Sequence, residues 1–345
     1  MGVKFSPSTR RCNHHQYFTC PASHPRSDNL SESLLFWTGF FTSIYVRLQR
    51  QSENPSSLHY GFSVTENSVN AVEFSSETVA PVVNPMEAIC DDLSAETADL
   101  LRIIIPLSPA QWDCATPAVG WSIRDTISHL AYFDETGNLA ATDPEAFAAS
   151  TKALINRTER EEPSIAIGRA KTTNDVLNWF ISARTTMTAN FRTLDPKSRL
   201  PWYGPAMGAM SFATARLMET WAHGQDVADT LGVTPKPTDR LRHVAHIGVR
   251  ARAFSYATNK RETPDEEVKV VLTGPNGDRW AWNEALDDTN VVKGTALDFC
   301  LAVTQRRHLA DTGLTVVGPL AQDWMGIAQA FAGAPGTGRQ PGQFT

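Results

Sequence analysis

The stretch Arg216-Leu-Met-Glu219-Thr-Trp-Ala-His223-Gly-Gln-Asp226 constrains this chain more than any other. Read as part of a helix from about Ser211 to Leu231, it spaces Arg216, Glu219, His223 and Asp226 at steps of three, four and three, so all four share one face. Leu217, Met218, Trp221, Ala222 and Ala228 lie around the other sides. Such a polar stripe is ordinary if it faces water. If it faces inward its charges must be paired or bound to a metal, because buried charge is costly. Spacing alone leaves both readings open.

Three further long helices precede this one. From Met86, Ile89, Leu93, Leu100, Ile103 and Ile104 give a helical apolar face that Pro106 ends. A second helix opens at Trp121-Ser-Ile-Arg-Asp125 with Ser122 as N-cap and a core stripe of Ile123, Ile127 and Leu130. His129 falls at the edge of that stripe, aligned with Thr126 and Phe133. A third helix runs from Asn174 to Leu194 and stops before Pro196. Between the second and third lies a long excursion, residues 136–172, holding one or two short helices and the charged run Arg157 to Glu162. The loop Leu200-Pro-Trp-Tyr-Gly-Pro205 has a composition suited to the mouth of a pocket. Gly232, Pro235 and Pro237 terminate the fourth helix.

Four long helices predict an antiparallel four-helix bundle, so the fold class is mainly α. A fifth helix, Asp239 to about Ala257, carries His243 and His246 on one face. After Pro264 the apolar period changes to two. Strands are predicted at Val268–Leu272, Arg279–Trp282 and Thr289–Lys293, with Gly274-Pro-Asn-Gly277 as a turn. A helix over Thr295–His308, a strand over Leu314–Val317 and a helix over Gln322–Phe331 complete a small α+β C-terminal domain. The predicted organisation is a leader over 1–85, the bundle over 86–260, the α+β domain over 261–335 and a flexible tail over 336–345.

The leader mixes Ser, Asn, Pro and His with little periodicity, and reads either as a disordered segment or as an artefact of the gene start before Met86. Its apolar run Leu34–Val46 is 13 residues, too short to span a bilayer comfortably. Cys12, His14, His15 and Cys20 match no standard zinc spacing. The five cysteines are odd in number and scattered, which argues against a disulfide framework and for a cytoplasmic setting. No membrane association is expected. A net charge of −6 gives no bias toward nucleic acid, and a small-molecule substrate is the expected partner. The ending Gly333-Ala-Pro-Gly-Thr-Gly-Arg339 lacks the Lys-Ser/Thr of a phosphate loop.

Bundles build metal sites from inward side chains on facing helices. Glu219 and His223, at i and i+4, can reach one ion, and His129 is the inward-leaning candidate for a third ligand. One carboxylate and two imidazoles leave positions open for water or substrate, as catalytic sites do. Asp226 is then a candidate acceptor for an imidazole N–H, and Arg216 a candidate partner for Glu219 or for an anionic substrate group.

Gly120-Trp-Ser-Ile-Arg-Asp-Thr-Ile-Ser-His129-Leu and Glu219-Thr-Trp-Ala-His223-Gly-Gln-Asp226 together resemble the metal-binding domain of mycothiol-dependent maleylpyruvate isomerase, one of the DinB-like four-helix bundles. The resemblance covers roughly residues 88–235. It implies a divalent metal, usually zinc, on His129, Glu219 and His223, and use of a low-molecular-weight thiol such as mycothiol. The C-terminal blocks Gly294 to Arg307 and Trp324 to Gly333 resemble a module named for wyosine base formation in tRNA, as in an uncharacterised actinobacterial-type subfamily. That resemblance implies an accessory role on tRNA, although the Cys triad of the wyosine-forming radical enzyme is missing. The functional expectation is a metal-dependent, thiol-using isomerase or S-transferase. A tRNA accessory protein and a non-catalytic metal-binding protein are the alternatives.

Overall fold

The computed structural model describes residues 84–155, 162–336 and 338–344. The leader, its Cys/His cluster and its apolar run therefore lie outside the described residues. Helix α1 (Pro85–Ile104) starts where Asn84 Oδ1 accepts a hydrogen bond from the Met86 N–H at 3.0 Å, filling an amide that the helix itself leaves unpaired. A short α2 (Pro109–Trp112) leads to α3 (Ile123–Thr142). Ser122 caps α3 as expected, its Oγ accepting from the Asp125 N–H while the Asp125 carboxylate accepts from the Ser122 N–H. The excursion contributes α4 (Pro144–Ile155) and α5 (Pro163–Arg169), and α3 itself runs on into the excursion as far as Thr142. Helix α6 (Thr173–Phe191) follows, then a two-residue hairpin of β1 (Arg199–Leu200) and β2 (Met207–Gly208), then α7 (Ala209–Leu231). Gly232, with φ of 64°, ends α7 in the left-handed conformation that a residue with a Cβ adopts only at a cost.

Side-chain pairs fix the helix directions. Arg184 of α6 meets Asp134 of α3, and Asn190 meets Asn138, so these neighbours run parallel. Arg216 of α7 meets Asp134 and Leu130, while His223 meets His129, so α3 and α7 are antiparallel. Arg184 meets Thr97 of α1, and Arg192, just past α6, meets Asp91, so α1 and α6 are antiparallel as well. The four helices therefore run up, down, down, up. Two neighbours can run parallel only if a long connection carries the chain back along the bundle, and the α4–α5 excursion does this.

The predicted fifth helix is split at Ala251 into α8 (Leu241–Arg250) and α9 (Arg252–Thr258). A four-stranded sheet follows, in the order β4-β3-β5-β6, from β3 (Lys269–Thr273), β4 (Arg279–Trp282), β5 (Val291–Thr295) and β6 (Thr315–Val317). β3 and β4 form the expected hairpin, Leu272 opposite Trp280; β3 and β5 pair in parallel. Helices α10 (Ala296–Val303) and α11 (Pro319–Met325) complete the α+β part. α10 stops short of the predicted His308, and α11 begins three residues before the predicted Gln322 because Pro319 opens its first turn. Leu93, Phe212, Leu217, Leu241, Val270 and Phe299 belong to one continuous buried cluster, so bundle and sheet share a core. Among the described residues no helix is long and apolar enough to cross a membrane.

Candidate metal centre

Glu219 and His223 project from α7, and His129 from α3. One donor atom from each lies within 4.8 Å of the other two. The two imidazole centroids are 4.9 Å apart at 63°, and His223 Nε2 is 3.3 Å from Glu219 Oε2. The polar stripe of α7 thus faces inward. His223 is 8% exposed and Asp226 is fully buried.

Each imidazole has a carboxylate behind it. His129 Nδ1 lies 2.9 Å from Glu162 Oε1, which also accepts from Ser164 Oγ at 2.7 Å. Glu162 stands just before α5, and α5 packs hard against α3: a Cβ at Gly168 would come within 1.9 Å of Ser128 Oγ. Only glycine permits that approach, and the approach sets Glu162 against His129. On the other side His223 Nδ1 lies 3.4 Å from Asp226 Oδ2, in ion-pair reach but without hydrogen-bond geometry.

Asp226 is also the focus of two cations from the C-terminal part. Arg306 Nη2 donates to its Oδ2 and Arg339 Nη2 to its Oδ1, each at 2.7 Å. The residues after 335, predicted to be a flexible tail, thus include one that lies against α7. Burial opposes ionisation of Asp226, but Arg306 and His223 outweigh it and hold the carboxyl well below the usual range. Burial likewise opposes ionisation of Glu219, yet His223 and His129, with a smaller contribution from Arg216, bring its pKa down to about 2. Glu162 is lowered against its burial by His129 and Ser164. Burial disfavours the imidazolium of His223, while Asp226 and Glu219 more than offset this and raise its pKa.

Arg216 does not pair with Glu219. Its Nε donates to Asp134 Oδ1 at 3.0 Å and its Nη2 to the Leu130 carbonyl. Asp134, fully buried, also accepts two bonds from Arg184, at 2.7 and 3.2 Å. Arg184 in turn reaches Thr97 and Thr220, so one charged knot joins all four bundle helices. Arg216 is drawn there because Asp134 is the carboxylate its guanidinium reaches in line.

Trp121 forms a wall of the site, stacked on His223 with centroids 5.7 Å apart and 14° between planes, and 4.9 Å from His129. The three residues open on a cavity of about 1460 Å³, lined also by Trp202 and Tyr203 of the aromatic loop and by α8 and β4. His243 binds Asp92 at 2.8 Å and lies on the cavity wall with His246, outside the three-residue cluster. Sequence reasoning missed Glu162, Asp134, Arg184, Arg306, Arg339 and Trp121. Their only signal is that they are charged or aromatic; nothing local shows which carboxylate stands behind which imidazole.

Residues 93–228 match the family described as mycothiol maleylpyruvate isomerase N-terminal domain. An uncharacterized protein of Mycobacterium tuberculosis (strain CDC 1551 / Oshkosh) is 42% identical over 249 residues, covering 72% of this chain and 96% of the relative. The chain belongs to this family. A protein from a second strain of M. tuberculosis matches to the same extent. Among solved structures, that of the mycothiol-dependent maleylpyruvate isomerase aligns with a TM-score of 0.45 and 17% identity, over 68% of this chain and 93% of that one. The family match spans α3 and nearly all of α7, and so contains His129, Glu219 and His223.

Proposed function

We propose that the chain is a metal-dependent enzyme of the thiol-dependent isomerase or S-transferase type, holding a divalent cation, zinc by its donor set, on His129, Glu219 and His223. It acts on a small electrophilic substrate with a low-molecular-weight thiol such as mycothiol as co-reactant. The observation that carries this reading is the convergence of the three donors, with Glu162 behind one imidazole and Asp226 behind the other. Carboxylates placed so orient metal-binding imidazoles and raise their basicity; a stripe facing solvent gains nothing from them.

A cation held by His129, Glu219 and His223 would lower the pKa of a bound thiol or water and so supply a nucleophile at neutral pH. The chain's own residues prepare the place. Glu162 holds the proton of His129 on Nδ1 and leaves Nε2 free toward Glu219. Asp226, 3.4 Å from His223 Nδ1, sets a negative charge behind the second imidazole. Glu219 brings the single negative charge of the donor set. Trp121 covers both imidazole faces and keeps water off them. No cysteine is among the described residues that line the cavity, so the reacting sulfur belongs to a ligand. A volume of about 1460 Å³ exceeds the roughly 300–1,000 Å³ of a site for one small molecule and leaves room for two reactants.

The accessory role on tRNA rests on the C-terminal blocks. Arg306, which comes from the first of these blocks, reaches Asp226, and this supports a role within the metal site. The test is the metal content of the purified protein and of His129→Ala, Glu219→Ala and His223→Ala. Near-stoichiometric metal in the native chain and loss in each variant is expected; full occupancy in all three variants sinks the assignment. Thiol use is separate, and a calorimetric titration of the metal-loaded protein with mycothiol that gives no binding removes it.

A further inference from the structure

The cavity extends beyond the metal centre to a wall formed by α8 and β4. Arg242, His246 and Arg250 stand at i, i+4 and i+8 on α8, so they share one face. All three are exposed and line the cavity, together with Trp280 and Trp282 of β4. The arginines deeper in the cavity are engaged: Arg216 by Asp134, and Arg306 and Arg339 by Asp226. Arg242 and Arg250 form no ion pair among the described residues. Arg242 lies over the Trp280 ring, 6.0 Å from its centroid, which holds the guanidinium without neutralising it.

His246 completes the set. Its Nδ1 accepts from Trp282 Nε1 at 3.2 Å, so its proton resides on Nε2 and the ring presents a neutral donor. Burial, with Arg250, His243 and Arg242 nearby, keeps its pKa below the ordinary value. The acidic groups of this wall are occupied, Asp92 by His243 at 2.8 Å and Asp239 by Asn276 at 2.6 Å. In a chain of net charge −6, two guanidiniums without an ion pair thus stand one turn before and one turn after a fixed N–H donor on one helix face.

We propose that Arg242, His246 and Arg250, with Trp282, form a second ligand subsite that takes the carboxylate or phosphate of a ligand entering this cavity. Two forked guanidiniums supply charge-assisted hydrogen bonds to the anion, and His246 adds a third donor. The subsite stands by itself. That its ligand also reaches His129 and His223 rests on the metal reading above, and the two fail separately.

The test is isothermal titration of the full chain, in anion-free buffer, with glutarate, with inorganic phosphate and with uncharged glutaramide. The native protein is expected to bind at least one anion and not glutaramide; the tighter of the two identifies the headgroup. The double variant Arg242→Ala/Arg250→Ala, altered only at exposed positions, is expected to lose about tenfold or more in affinity, the scale of a lost charge-assisted hydrogen bond, with its metal content unchanged. Glu219→Ala is expected to bind the anion as the native protein does. The subsite is overturned if neither anion binds, if the double variant binds like the native protein, or if binding disappears in Glu219→Ala alone, which would put the anion on the metal. Tight, steeply salt-dependent retention of tRNA that the double variant loses would reassign the stripe to nucleic acid and also overturn it.

Discussion

His129 Nδ1 and Glu162 Oε1 meet at 2.9 Å across 33 residues of chain, and this contact determines which imidazole nitrogen faces the cavity. Replacing Glu162 with Gln frees the ring to change tautomer and orientation without touching any of the three donors. Removing such a partner weakens metal binding by about 10- to 100-fold in comparable sites. A competition titration against a chromophoric chelator should show that loss in Glu162→Gln, with the fold kept by circular dichroism. An unchanged affinity would mean that Glu162 does not orient the ligand.

The pH behaviour of the metal-free protein follows from His223. Its folded pKa is raised by Asp226 and Glu219 against the opposing effect of burial. The stabilisation is therefore fully present below the unfolded value, about 6.5, and is lost as pH rises through the folded pKa. Metal binding needs the neutral ring, so affinity should change the other way, rising with pH up to the folded pKa and levelling above it. Thermal melts across this range, with and without metal, should diverge as pH increases; parallel curves would count against His223 as a ligand.

Asp134 joins Arg184 to Arg216, and all three are buried. Asp134→Ala leaves two buried guanidiniums without the carboxylate that both bond to. Breaking a buried pair in this way costs about 3–5 kcal/mol. Urea denaturation should show a loss of that size, and a double variant that also replaces Arg184 with Met should recover part of it.

The bundle was readable because its information is local. Ile123, Ile127 and Leu130 repeat at helical spacing, Ser122 caps, Gly232 stops, and Glu219 and His223 share a face by spacing alone. His129 lies at the edge of its apolar stripe, and that edge is where the cavity opens. The supporting groups were not readable for the opposite reason. Glu162 comes from a charged run with no period, and its place depends on the close packing that Gly168 allows. Arg216 looked like a partner for Glu219 because the two are three residues apart on one helix; Asp134, on another helix, takes it instead. The parallel pairing of α3 and α6 follows from the path of the crossover, which hydrophobic period does not encode.

Arg339 offers a test from the far end of the chain. Arg339→Ala leaves Asp226 with Arg306 as its remaining guanidinium partner. Losing one hydrogen bond to a charged group should cost about 1.5–3 kcal/mol, measurable as a lower urea midpoint. Arg339→Lys should restore only part of this, because an ammonium cannot reproduce the fork that reaches both Asp226 and the Pro117 carbonyl.

The two guanidiniums on Asp226 come from 80 and 113 residues farther along the chain. During synthesis His129, Glu219 and His223 are all present once α7 has emerged, whereas the groups that neutralise Asp226 follow later. Until those two segments are in place the Asp226 carboxylate beside His223 lacks both guanidinium partners, so the polar face of α7 is completed by residues that lie far beyond the bundle in sequence.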